Sequence, residues 1–131
     1  MDEKNNEFFI KRKTDEIEEG LEGAWVYEEK DKPSQYLTFF RPASIGGLGK
    51  VILGTTPEGI DRTLQYEILV AIKNDIFEKV LMNFIVKTSD EVMQFQIDFM
   101  NSFTEQLTLI DTHHRTFDYV RLEPRKMKEV E

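Results

Sequence analysis

The sequence contains no cysteine, which excludes disulfides, thiolate zinc sites, thiol nucleophiles and iron–sulfur clusters and leaves the redox compartment unmarked. Histidine is scarce, with two residues, and tryptophan scarcer, with one. No apolar run approaches the roughly eighteen residues that a spanning helix needs. The N-terminal stretch, MDEKNNEFFIKRK, is acidic and amidic where a signal peptide would be basic and then apolar. The expectation is a chain with no membrane span, cytoplasmic as written, or exported if Met1 replaces a removed signal segment. Positive charge is also in short supply: 17 Lys and Arg stand against 25 Asp and Glu, for a formal charge of −8. Sequence-independent nucleic-acid binding needs cations to displace phosphate counterions, so no nucleic-acid partner is expected, and an anionic membrane would repel the chain as a whole.

What is present suits a packed domain. With 131 residues, 40% of them hydrophobic, and ten Phe and four Tyr, the chain can bury a core of its own, and one domain is expected. Residues 1–23 read differently from the rest. Charge dominates there, and the i, i+4 spacing of Phe9, Lys13, Ile17 and Leu21 lines one helix face. Thr14, followed by Asp15 and Glu16, is placed to cap a shorter helix ending at Gly20. The segment is therefore expected to be a frayed start and a short helix that caps the rest of the domain, with Lys11-Arg12-Lys13 as a solvated helix face.

From Trp25 onward the period changes to two. Leu64, Tyr66, Ile68, Val70 and Ile72 alternate with Thr63, Gln65, Glu67, Leu69 and Ala71, Asn74-Asp75 turns the chain, and residues 76 to 87 carry Val80, Met82, Phe84 and Val86 on one face. Thr88-Ser89-Asp90 turns it again into Met93, Phe95, Ile97 and Phe99, and Asn101-Ser102 closes that strand. Phe103, Leu107 and Leu109 continue to Asp111, and residues 116 to 122 form a last strand before Pro124. Upstream, Ala24 to Glu29, Gln35 to Arg41 and Leu48 to Gly54 supply three more. Eight short antiparallel strands in sequence predict an all-β domain over 24–123, an eight-stranded antiparallel up-and-down β-barrel with a short N-terminal helix, and a flexible tail over 124–131. A two-sheet β-sandwich is the alternative, though its Greek-key crossovers are usually longer than these connections.

Gly23-Ala24-Trp25 follows the short helix and opens the first strand, and Arg121 stands near the end of the last. In this the chain resembles the calycin-type barrels of the lipocalin and fatty-acid-binding group, whose first strand carries Gly-x-Trp and whose final strand often carries an Arg that packs by that Trp. The resemblance implies structural closure through Trp25 and Arg121, because first and last strands are neighbours in a closed barrel and a guanidinium can stack on the indole there. It also implies carriage of a small apolar molecule in the barrel. Fatty-acid-binding members often grip a carboxylate with Arg-x-Tyr in the final strand; here the order is reversed, Tyr119-Val120-Arg121. Residues i and i+2 share a face. Asp118, on the other face with Val120 and Leu122, would be costly inside unless paired, so Phe117, Tyr119 and Arg121 are expected to point inward.

Other motifs carry less. Gly46-Gly47-Leu48-Gly49-Lys50 lacks the Walker spacing and a following Ser or Thr, and reads as a flexible turn that could serve as a lid at the rim. Asp111, His113, His114 and Asp118 read as a solvated hairpin loop rather than a metal site, because adjacent histidines on an extended chain diverge. No catalytic set, metal site or cofactor is expected. Tyr27, Tyr66, Tyr119 and Arg121 on apolar faces favour a ligand cavity over a purely stabilising core. The expected site is Tyr27, Tyr66, Phe95, Phe117, Tyr119 and Arg121, with Tyr119 and Arg121 orienting the polar end of a small hydrophobic ligand in a non-catalytic carrier. The alternative is a filled barrel whose acidic exterior engages a basic protein partner, as an inhibitor or immunity protein does. A barrel enzyme using tyrosines, Arg41 or Arg121 and Glu67 on a small acid is a distant third.

Overall fold

The computed structural model describes residues 3–43, 47–74, 76–89, 91–101 and 105–122. The expected tail over 124–131 lies outside the described residues, as do Gly46, Asp75, Asp90, Ser102 and Phe103 of the expected turns and strand ends. One helix, α1 (Glu3–Leu21), precedes eight strands: β1 (Gly23–Tyr27), β2 (Gln35–Phe40), β3 (Gly49–Gly54), β4 (Arg62–Lys73), β5 (Ile76–Ile85), β6 (Val92–Asn101), β7 (Gln106–Asp111) and β8 (Thr116–Arg121). The strands pair in chain order and β1 pairs with β8, all antiparallel, so the sheet closes into an up-and-down barrel. Closure removes the open edges that a sandwich would leave.

Period-two alternation sets the interior. Leu37, Phe39, Val51, Leu64, Tyr66, Ile68, Val80, Met82, Phe84, Leu107, Leu109 and Tyr119 are buried together, while Leu69 and Val120, on the opposite faces of their strands, are exposed. Two register shifts, at Ala71/Ile72 and at Ile97/Phe99, bend the sheet as bulges do. The connections use residues that tolerate a left-handed backbone: Asp31, Asn74, Glu105 and His114 all have positive φ, between 54° and 65°.

The helix departs from expectation. It is continuous over 19 residues rather than a frayed start and a short helix from Thr14. Contacts at both ends explain this: Ile17 and Leu21 join the barrel core, and the Phe9 ring meets Phe77 at 6.0 Å. The β4–β5 hairpin outruns its neighbours, since β3 reaches only to Tyr66 and β6 only to Val80, and α1 packs against β4 there. The helix, with the β2–β3, β4–β5 and β6–β7 connections, defines the floor of the barrel. The four remaining connections define its mouth. Among the described residues no helix is long and apolar enough to cross a membrane.

Candidate functional site

At the floor, Trp25 is fully buried and Arg121 is 7% exposed. The guanidinium lies 4.2 Å from the centre of the Trp25 ring, as expected for closure. Its other contacts are more demanding. Nη1 donates to the Glu22 carbonyl at 2.7 Å, Nη2 to the Gly20 carbonyl at 2.6 Å, and Nε to Glu105 Oε1, which also forms an ion pair with it. Trp25 Nε1 donates to the Leu21 carbonyl at 2.8 Å. The last turn of α1 contains no basic residue of its own; its free carbonyls are capped by two side chains from the strands, one of them cationic, where the helix dipole favours positive charge. Gly23, at φ +119°, has no room for a side chain, because a Cβ there would lie 2.6 Å from Arg121 Nη1. The Gly-x-Trp pattern is therefore required by the arginine that reaches past it.

Tyr66 belongs to this lower half. It is fully buried, meets Phe39 edge-on at 5.2 Å, and fills the space beside Gly49 that a Cβ would need. Its hydroxyl has no hydrogen-bond partner among the described residues. Burial pushes its pKa well above the ordinary value, with Glu18 and Glu22 adding to the rise and Arg41 opposing it.

The upper half is less completely filled than the floor. A cavity of about 920 Å³ opens at the mouth, walled by Leu37, Leu53, Phe84, Met93, Phe95 and Phe117 with Tyr27 and Tyr119 among them, and rimmed by Glu29, Lys32, Asp111, His113 and Arg115. Tyr27 stands between Phe117 at 5.3 Å and Tyr119 at 5.6 Å, and Phe84 lies 5.1 Å from Phe95. Tyr119, 5% exposed, donates weakly to Gln35 Oε1 at 3.5 Å; burial, then the neighbouring Tyr27, lifts its pKa to about 12. Burial and Glu29, which accepts the Tyr27 hydroxyl at 3.3 Å, raise Tyr27 as well. At the rim, partial burial would raise Asp111, but hydrogen bonds from the backbone N–H groups of Arg115 and His113 and from the Arg115 guanidinium outweigh it and hold the carboxyl below its ordinary range. Asp111 thus closes its own hairpin loop.

Of the six expected site residues, Tyr27, Phe95, Phe117 and Tyr119 share the mouth cavity; Tyr66 and Arg121 are not among its lining. Arg121 does point inward, as Asp118 on the opposite face suggested, yet its donors are taken at the floor. Leu53 and Phe84, which sequence reasoning did not single out for the site, join the walls because they end strands at the mouth. A second cavity of about 550 Å³ lies between α1, the β2–β3 connection and β4, and is lined by Arg41, Glu67, Glu18 and Gly47 among others. The glycine-rich connection therefore sits at the floor end, away from the mouth, and the lid reading of it does not hold. Arg41 and Glu67 line this floor cavity, apart from Tyr27 and Tyr119 at the mouth, while Arg41 acts electrostatically on Tyr66. Family models, curated proteins and solved structures yield no match to the chain.

Proposed function

We propose that the chain is a calycin-type carrier that binds one small apolar or amphipathic molecule in the mouth of its barrel, without catalysis. The observation that carries this reading is the 920 Å³ cavity walled by aliphatic and aromatic side chains, a shape and lining typical of small-molecule sites. Burial of about 300 Å² of ligand apolar surface is worth roughly 7 kcal/mol before the costs of association, enough for micromolar affinity after them. The filled lower half limits the ligand's depth and favours a compact molecule over a long extended chain. Lys32 and Arg115, rather than Arg121, are the cations within reach of a polar end at the rim. Support for the calycin reading is the set Gly23, Trp25 and Arg121 together with a helix that closes the floor.

The test is titration with an apolar fluorescent probe, followed by displacement with paired acids and alcohols of equal chain length. Binding near one to one is expected, weakened in Leu53→Trp, which narrows the cavity. Arg121→Gln should leave the acid-to-alcohol preference unchanged. Absence of binding by every probe would sink the carrier and leave the acidic interaction module as the better account.

A further inference from the structure

Opposite the mouth, the overhanging β4–β5 hairpin and the first half of α1 bring exposed apolar side chains to one end of the molecule. Phe8 is 64% exposed and Ile76 68%, with Phe9, Phe77, Phe40 and Leu48 less so. Three cations lie against the exposed rings: Arg12 over Phe8 at 5.8 Å, Lys13 over Phe77 at 5.3 Å and Lys50 over Phe40 at 4.8 Å. Elsewhere on the described surface the exposed large apolar residues are aliphatic: Ile60 and Val92 near the mouth, Leu69 on the outer face of β4 and Val120 on the β8 flank.

The geometry points to this end as a peripheral docking surface for an anionic lipid bilayer. Phenylalanine and isoleucine tips that project rather than line a groove suit shallow entry at the boundary of headgroups and acyl chains, and cations seated on those rings reach lipid phosphates at the same depth. A net charge of −8 does not oppose this, because charges more than about 10 Å from the bilayer are screened at physiological salt. In sequence the N-terminal half of α1 carries Lys4, Lys11, Arg12 and Lys13 against Glu3 and Glu7, and the hairpin Lys73 and Lys79 against Asp75 and Glu78, together a positive balance, whereas Asp15, Glu16, Glu18 and Glu19 make the second half of the helix acidic. The docking face is the first half of α1, the hairpin tip and the adjoining floor end of β2 and β3 with Phe40 and Lys50. Docked in this way, the barrel holds its mouth away from the membrane.

Co-sedimentation of the full chain with phosphatidylcholine vesicles, with and without about a quarter phosphatidylglycerol, tests the proposal. Association is expected with the anionic vesicles and not with the neutral ones, and it should weaken as salt is added. R12E/K13E should lower the partition coefficient about tenfold or more, and F8S/I76S should lower it as well. Phe8, Arg12 and Ile76 are exposed and Lys13 is half-buried, so circular dichroism of both variants should match the parent. No association with anionic vesicles, or association that neither variant changes, overturns the proposal. So does a wild-type dimer that F8S/I76S converts to monomer, which would assign the patch to a second copy of the chain.

Discussion

Trp25 and Phe117 are both aromatic, both inward, and on neighbouring strands of one seam, yet Trp25 is wholly buried while Phe117 borders a void. The difference comes from what closes each end. At the floor, α1 inserts Ile17 and Leu21 into the core and presents its last carbonyls to Trp25 and Arg121. At the mouth the β1–β2 and β7–β8 loops hold themselves, through Lys32 N–H to the Glu29 carbonyl and through the Asp111 carboxylate, and insert nothing. Packing is concentrated in one half and open space in the other, and the proposed site lies in the second. A site built this way accepts changes in its lining without unfolding the scaffold beneath it.

The largest test of that division is Trp25→Ala, which should cost about 3–5 kcal/mol through the cavity it leaves, while Phe117→Ala should cost about 2 kcal/mol or less because the residue is only partly buried. Denaturant midpoints measure both, and equal losses would erase the distinction between floor and mouth. Next in size is a pair of arginines. Arg121→Gln strands Glu105 and uncovers the Gly20 and Glu22 carbonyls at the helix end, for an expected loss of about 2–4 kcal/mol. Arg115→Gln, in an exposed pair with Asp111, should cost about 1 kcal/mol or less. Comparable losses for the two arginines would show that Arg121 does not hold the floor.

Alkali probes both halves at once. Folding favours the neutral phenols of Tyr66 and Tyr119, so their folded pKa values lie above the ordinary 10.0. Between the two values the folded state holds more protons than the unfolded one. Their contribution to stability is therefore whole below about pH 10 and is lost as the pH rises toward 12, at up to about 1.4 kcal/mol per tyrosine per pH unit. Tyrosinate absorbance followed with denaturant midpoints measures this, and ionisation of all the tyrosines together near pH 10 in the folded protein would refute it. The smallest effect is expected from Tyr66→Phe. Removing a buried hydroxyl that has no partner should leave the melting temperature unchanged or raise stability by up to about 1 kcal/mol; a clear loss would reveal a bound water or another partner.

Much of the fold was legible because alternation is a local signal. Leu64 to Ile72 and Met93 to Phe99 announce strands without reference to anything distant, and the cost of burying Asp118 correctly chose the inward face of β8. The length of α1 was less legible, since its continuity depends on Phe9 meeting Phe77, nearly seventy residues away. The role of Arg121 was half legible. Its stacking on Trp25 follows from barrel closure, but its saturation depends on Glu105 and on carbonyls of a helix end, which no spacing in β8 encodes. The extent of open space was poorly legible: polar residues on apolar faces favoured a cavity, yet two of the four, Tyr66 and Arg121, are packed at the floor, because the filling depends on how far a plug from outside the sheet enters the interior. Tyr66 and Tyr119 look alike in sequence, and the plug alone separates them.

The barrel's seam is short: β1 and β8 meet through Trp25 with Arg121 and Val26 with Val120. That contact closes a loop of roughly a hundred residues, whereas each hairpin closes one of a few, and the entropic cost of closure grows with loop length. The chain's one tryptophan is thus an optical reporter placed at the most distant junction in the sequence, under a guanidinium, with the helix end beside it. Its emission should read whether the ring of strands is complete, and a guest of the kind proposed, bound at the opposite end, should leave that signal unchanged.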